Sequence, residues 1–417
     1  MNRKRIAIVS NRYLKEDLRG SEELPKQITQ LLIDIFDVDI LTSDIMDLQP
    51  LTSPIASRSM DIRKFEDDGK TIYRFRSHPL ISSSAYVASK ILSHFSSAPG
   101  ISYKSFLDFL GVIGWGPFIP NIYDHILNSN YDLVYGSTFP STPSFLAFEA
   151  AIDSNIPFVY APYLHYNLNE HTDNMMVKLI IKGSTAIIAM TDSEKRKLIS
   201  MGASDKSTFV VPAQYDMDRM KNMRVEKEKA KKFLGLENKF VILTVPHPAK
   251  GGLQTLDAAA LLSDFFDNVY VLSIGNVKRS YLNHVKFLKD KHKNLNIIDF
   301  GWVDTQTKYI LNSAADVFSM PSVTDSFGLS YLDAWSCHTP VIAARDTSAD
   351  DLVSDGENGF LVSFGNAGEL FIHLKALYLG NYDSKEMGMR GHQSIKERFD
   401  PNVVKNKYIE VFEFAMQ

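Results

Sequence analysis

Short apolar runs recur along this chain, most of them followed by a stretch with helical spacing. In the first half the runs are Arg5–Ser10, Asp37–Thr42, Thr71–Arg76, Leu133–Gly136, Pro157–Ala161, Ala186–Thr191 and Thr208–Pro212. They are rich in Val, Ile and Tyr and mostly lack strict alternation, which suits strands covered on both faces. Helical patterns such as Leu24–Phe36 and Glu194–Met201 lie between them. The pattern then breaks. Asp216–Glu237 contains no strand, and between Asp218 and Lys232 it carries seven Lys/Arg against three Asp/Glu, so it reads as a linker with a solvated helix. After it the alternation restarts at Phe240–Val245, Val269–Gly275, Asn296–Gly301, Val317–Pro321, Pro340–Ala344 and Gly359–Val362, and the tail from Ser384 reads as a helix, a turn near Asp400-Pro401 and a final amphipathic helix. Alternating βα units of this kind predict two parallel, doubly wound sheets, which bind ligands at the carboxyl ends of their strands.

Composition narrows the picture modestly. At 417 residues the chain has room for two full cores, and 45% hydrophobic with 23% charged residues is an ordinary globular balance. A net charge of -4 argues against a whole-protein role as a nucleic-acid binder. A single cysteine, Cys337, allows no disulfide framework within the chain and no cysteine-based metal site, and fits a reducing compartment. The run Ile6–Ser10 is too short for a signal peptide, and no segment reaches about 18 consecutive apolar residues, so a soluble, cytoplasmic protein is expected. Ser77–Asn130 has no clear strand. Its Gly/Pro-punctuated patch Phe109–Pro120 reads either as core-completing helices and loops or as an acceptor-binding or membrane-facing surface.

The densest chemical signal runs from Met320 to Ala344. A strand ends at Pro321, a loop carries Asp325, a helix is predicted from near Ser326 to about Cys337, and a strand restarts at Pro340. Free backbone N–H groups at such a helix start, near Phe327, Gly328 and Leu329, hold anions. Asp325 on the loop can accept hydrogen bonds from sugar hydroxyls, and Asp333, two turns into the helix, can reach a ribose. By spacing alone, an N-cap for Asp325 and a solvent-facing acid for Asp333 explain these residues equally well.

This stretch resembles the donor-site signature of the retaining glycosyltransferases of family 4: two acids eight positions apart around Phe327-Gly328-Leu329, followed by Pro340-Val341-Ile342 and later by Asp355-Gly356-Glu357-Asn358-Gly359. Both acids are Asp where that family usually has Glu, and His338 stands where it usually has Gly. The resemblance covers Arg5 to about Phe414 and is more specific in the second half. It implies an α/β protein of GT-B architecture, two Rossmann-like doubly wound domains facing across a cleft. The expected parts are an acceptor domain over 1–213, a linker over 214–238, a donor domain over 239–395, and a helix within 396–417 packing back on the first domain. It further implies that Lys250 and the N–H groups near Phe327–Leu329 stabilise the leaving diphosphate, that Asp325 holds the sugar and Asp333 the ribose, and that Gly20 approaches the diphosphate. His165 would lie near the reacting carbon, with Tyr163 its rival for that place. Asp192-Ser193-Glu194 matches a helix start of the family, which capping also explains. The family's interdomain hinge falls at Val211–Asp216, and its usual Arg falls at Val245, a lost cation for which His247 or Lys278 could compensate.

The expected activity is transfer of a hexose from a nucleoside diphosphate sugar to an acceptor hydroxyl with retention, in polysaccharide, glycolipid or lipid-linked glycan synthesis. Catalysis would fall to His165, Lys250 and Asp325, with Gly20, Lys250, Phe327, Gly328, Leu329 and Asp333 binding the donor. No metal or other cofactor is expected, the sugar nucleotide being a co-substrate. The basic linker and the Phe109–Pro120 patch suggest a glycan or lipid-linked acceptor met at the inner face of the membrane. The alternatives are a non-catalytic GT-B protein that binds sugar nucleotide or a partner transferase, motivated by the two Asp and the absent Arg, and a sugar-nucleotide epimerase.

Overall fold

Every apolar run named above forms a strand in the computed structural model, which describes residues 3–14, 23–46, 60–61, 63–78, 81–82, 84–85, 88, 108–139, 141–164 and 174–417. These residues fall into two compact units. The first is drawn from 1–164, 168–212 and 404–417, the second from 165–167 and 213–403.

In the first unit, β1 (Arg5–Ser10), β2 (Asp37–Ser43), β3 (Arg63–Asp67), β4 (Lys70–Phe75), β5 (Leu133–Ser137), β6 (Phe158–Ala161), β7 (Ala186–Ala189) and β8 (Thr208–Val210) make one sheet in the order β3-β4-β2-β1-β5-β6-β7-β8. All neighbours pair in parallel except β3, which runs antiparallel to β4 at the sheet edge. The central strands are buried on both faces, and Ile6, Ala7, Ile8 and Val9 of β1 expose nothing. That burial is why their sequence lacks alternation, and each such Ile or Val contributes about 1.5–3 kcal/mol. The edge strand β3 is the one strand that the apolar pattern does not predict, because its residues are half exposed.

Residues 109–120 are divided between core and surface. Val112 and Ile119 belong to the first unit's core, while Phe109 is 41% exposed. Part of the apolar content of this patch is thus used inside the unit. The helix Pro401–Ala415 places Phe412 against Phe36 and Tyr135, and Tyr408 against Tyr135.

The second unit has β9 (Phe240–Thr244), β10 (Val269–Ser273), β11 (Asn296–Asp299), β12 (Val317–Ser319), β13 (Val341–Ala344) and β14 (Gly359–Val362), all parallel, in the order β11-β10-β9-β12-β13-β14. The stretch expected to be a linker packs as part of this unit. It forms the helices Met217–Lys221 and Lys227–Leu234, and Ala230 and Leu236 are buried. Lys227 and Lys231 reach the two oxygens of Asp316 at 3.0 and 2.7 Å, and the Val241 amide donates to the same carboxylate. The basic residues of this segment therefore serve in part to dock it beside β9 and β12, where a solvated helix was expected.

Candidate active site

The chain builds β9, β10 and β11 outward in one direction, then returns to place β12 on the other side of β9. The crevice at the carboxyl ends of β9 and β12 is therefore the point where strand order reverses, the usual ligand position in an open α/β sheet. Two loops meet there. Gly251 adopts a left-handed φ of +76°, and a Cβ on it would stand 2.4 Å from the Pro321 ring and 2.7 Å from the Pro321 carbonyl oxygen. Only glycine allows this approach. The Val323 amide then donates to the Ala249 carbonyl at 3.1 Å, tying the loops together. Below them Thr244 Oγ1 donates to the Ser319 carbonyl at 2.7 Å.

This docking brings Lys250 and Asp325 together. Lys250 Nζ lies 2.8 Å from Asp325 Oδ1. The other oxygen, Asp325 Oδ2, is buried and has no hydrogen-bond partner among the described residues. A carboxylate oxygen left so is costly and calls for a donor, such as a hydroxyl. Ser348 Oγ fixes the loop by donating to the Asp325 carbonyl. His247 stands nearby with its Nδ1 buried and unpartnered. Burial first, then the cations Lys278 and Lys250, lower its pKa below the usual imidazole value, against a smaller pull from Asp325. His247 is thus neutral at pH 7 and does not replace the charge absent at Val245. Lys278 is close enough to act on that imidazole and is a further cation beside it.

The helix after β12 starts at Leu329, three residues later than the sequence suggests, and ends at Ser336. Gly328 precedes it at φ +101°, with the Tyr331 ring 2.6 Å from where its Cβ would be. No side chain caps this helix start, so its first amides remain free of side-chain acceptors. Phe327 can offer a ligand its backbone but not its side chain. Its ring is buried, edge-on to Phe399 at 5.6 Å.

At the other end His338 has φ +61°, the left-handed position after a helix end where glycine is favoured. Its Nε2 lies 2.8 Å from Arg224 Nη1, and its ring packs edge-on to His392. Burial, then Arg224, His392, Lys385 and Lys396, lower its pKa to about 4. The unfolded chain therefore takes up this proton more readily. The stability that His338 provides is full above about pH 6.5 and is lost as pH falls towards 4. Thermal melts of the wild type and His338→Asn, which keeps a residue tolerant of the left-handed region, are expected to converge as pH drops from 7 to 5. A constant gap between the two would show that this imidazole does not titrate differently on folding.

Asp333 is engaged within its own unit. Its Oδ1 accepts from the hydroxyls of Tyr215 and Tyr309, each at 3.0 Å, and its Oδ2 lies 2.8 Å from Lys308 Nζ. Ser336 Oγ and the two tyrosines complete a connected group. Lys308, Tyr309 and Tyr215 carry no local motif, and the sequence reading did not single them out.

Gly20 and His165 lie outside the described residues. Tyr163, the rival to His165, turns inward. It takes φ +53°, is 2% exposed, and its hydroxyl pairs with that of Tyr135 at 2.7 Å. Among Asp192, Ser193 and Glu194, the capping role falls instead to Thr191, whose hydroxyl accepts from the Glu194 amide. Glu194 is buried and accepts the amides of Leu164 and Met190, both at 2.7 Å, so it ties together the segments after β6 and β7. Burial raises its pKa to about 7 against the pull of those two amides. Glu194→Gln places an amide donor against one of these N–H groups, and a loss of about 2–4 kcal/mol in urea unfolding is expected. An unchanged midpoint would mean that the site relaxes around the amide.

Among the described residues no group of three or more His, Cys, Asp or Glu is arranged to hold a metal ion, and no helix is long and apolar enough to cross a membrane.

Comparison with known proteins gives a family for part of the chain. Residues 225–393 match the family model for Glycosyl transferases group 1. The D-inositol 3-phosphate glycosyltransferase of Geodermatophilus obscurus is 30% identical over 225 residues, 51% of this chain and 49% of that protein. The phosphatidyl-myo-inositol mannosyltransferase of Mycobacterium leprae is 28% identical over 175 residues, 40% of this chain and 43% of that protein. The chain thus spans about half the length, or less, of these curated relatives. Among solved structures, Anabaena HepE in complex with UDP and glucose superposes with a TM-score of 0.66 at 17% identity, over 98% of this chain and 99% of that one. The matched segment runs from just before the helix Lys227–Leu234 into the helix Ser384–Arg398 and includes Lys250, Asp325 and Asp333. With two Rossmann-like units in one chain, the fold is the GT-B architecture, and residues 225–393 are similar to the Glycosyl transferases group 1 family.

Proposed function

We propose that the chain is a retaining, metal-independent hexosyltransferase that moves a hexose from a nucleoside diphosphate sugar to an acceptor hydroxyl in the cytoplasm, in polysaccharide, glycolipid or lipid-linked glycan synthesis. The observation that carries this reading is the Lys250–Asp325 pair at the switch point, with Asp325 Oδ2 buried and short of a donor. A hexose hydroxyl satisfies that oxygen. The diphosphate lies against the uncapped amides at Leu329 and within reach of the Lys250 ammonium, so positive groups face the charge that develops as the donor bond breaks.

In the proposed step the anomeric carbon–phosphate oxygen bond breaks and the acceptor oxygen bonds to the same face of that carbon. The acceptor proton passes to the departing phosphate oxygen. On this reading no carboxylate attacks the sugar, and the protein contributes position and field. The family resemblance would assign the role beside the reacting carbon to His165 and a role in diphosphate binding to Gly20, both outside the described residues.

HepE has been solved with UDP and glucose and with UDP-glucose, so UDP-glucose heads the donor panel. Isothermal titration with UDP-, GDP-, ADP- and dTDP-sugars is expected to select one donor. The product's anomeric configuration, read by NMR, is expected to match the donor's. An inverted product would overturn retention. Donor binding without turnover on any acceptor would favour the non-catalytic reading.

A further inference from the structure

Asp333 is the residue expected to meet the nucleoside half of a donor, but its carboxylate is already engaged by three donors of its own unit. The helices Thr305–Ala314 and Leu329–Ser336 both begin at the carboxyl edge of the second sheet, one after β11 and one after β12. They lie side by side. Thr339 Oγ1 donates to the Asn312 carbonyl at 2.7 Å, and Cys337 Sγ reaches the Tyr309 carbonyl. Lys308 and Asp333 both fall in the first turn and a half of their helices, so their ion pair spans the groove between two helix starts on the ligand-binding edge. From Gly328 to Asp333 the helix rises about 7 Å, the span from a bound diphosphate to its ribose.

Across that groove the two side chains are not equivalent. Asp333 is 14% exposed and accepts from three donors, Lys308 and the two tyrosine hydroxyls. Tyr215 and Tyr309 are buried, their hydroxyls are 2.5 Å apart, and neither can turn away without leaving a buried polar group unpaired. Lys308 is 33% exposed and gives one of its three ammonium protons to Asp333. Two ammonium protons remain for a ligand on this partly exposed side chain, and the ammonium rests 5.3 Å from the centre of the Tyr309 ring, which further fixes its place.

We infer that Lys308 is the side chain that meets the nucleoside half of the donor, donating to ribose or base oxygens, and that Asp333 is a positioning residue that aims it. This rests on the proposed donor site. It also inverts the expected polarity of the contact. A carboxylate would take protons from ribose hydroxyls, whereas this site gives protons to acceptors.

The test uses the full chain and the preferred nucleoside diphosphate, with inorganic pyrophosphate as a second probe. Lys308→Met is expected to weaken the nucleotide about tenfold or more while leaving pyrophosphate affinity within about twofold, because only the nucleoside end is touched. Asp333→Asn is expected to weaken the nucleotide less, and the double variant to match Lys308→Met alone. Thermal melts of each variant check that the fold persists. Nucleotide binding by Lys308→Met as tight as the wild type, or tighter, would overturn the inference, since the carboxylate freed by that change would then be the ligand. Failure of the wild type to bind any nucleotide would overturn the donor site itself, and this inference with it.

Discussion

Lys250→Met is expected to lower kcat/KM with the preferred donor by about 10²–10³-fold, roughly 3–4 kcal/mol of transition-state stabilisation. Under the proposed reaction, negative charge grows on the departing diphosphate, and Lys250 is the cation that the loop after β9 holds at the switch point through Asp325. Burial and the nearby lysines lower the pKa of its neighbour His247, which makes that imidazole a poor substitute cation. Lys278 leaves a residual rate. The loss should fall on kcat far more than on donor affinity, because the charge it meets is largest in the transition state. Steady-state kinetics with parallel titration separate the two. An unchanged kcat would reduce Lys250 to a structural partner of Asp325.

Gly391→Ala is expected to destabilise the second unit by about 3 kcal/mol or more and to lower its melting temperature by roughly 6–12 °C. A Cβ there would lie 2.1 Å from Cδ1 of Trp335. That indole is completely buried, and its Nε1 donates to the Asn358 carbonyl at 2.9 Å. One helical turn earlier, a Cβ on Gly388 would fall 1.9 Å from the His338 carbonyl oxygen. The two glycines let the helix Ser384–Arg398 lie directly on the helix Leu329–Ser336, which carries Asp333 and starts the anion site. Pushing these helices apart should therefore weaken donor binding as well as stability. Gly380→Ala is the control. Unlike the helical Gly391, Gly380 is a left-handed glycine, at φ +72°, but nothing lies within 4 Å of the new Cβ, so only about 1–2 kcal/mol of backbone strain is expected. Equal melting temperatures for the Gly391 and Gly380 variants would refute the packing argument.

The legible parts of this fold are those where one physical effect dominates. Strands buried on both faces leave continuous apolar runs, so β1, β2 and β9 could be read directly. The edge strand β3 leaves no such run, yet its hairpin had a signal. Asp68 and Gly69 both take positive φ, the two-residue turn that an Asp-Gly pair favours. The docking of segment 216–237 could not be read locally, because its lysines pair with Asp316, which is distant in sequence and lies in a strand-initiating position. In the candidate site, Lys250 and Asp325 were each singled out from local context, and their contact across 75 residues is supplied by the fold. Asp333 was recognised while its partners were not, since nothing local to Lys308, Tyr309 or Tyr215 reveals that they converge.

The grouping of residues 404–417 with the first unit sets an order on synthesis. Phe412 exposes nothing, and it and Tyr408 pack on Tyr135, while Phe412 also meets Phe36. Those partners leave the ribosome long before Tyr408 is translated. The second unit is made in the interval and can close its own core as it emerges. The half of the chain that is made first is thus completed last, and until residue 412 arrives it presents an apolar face that a nascent-chain chaperone would have to cover.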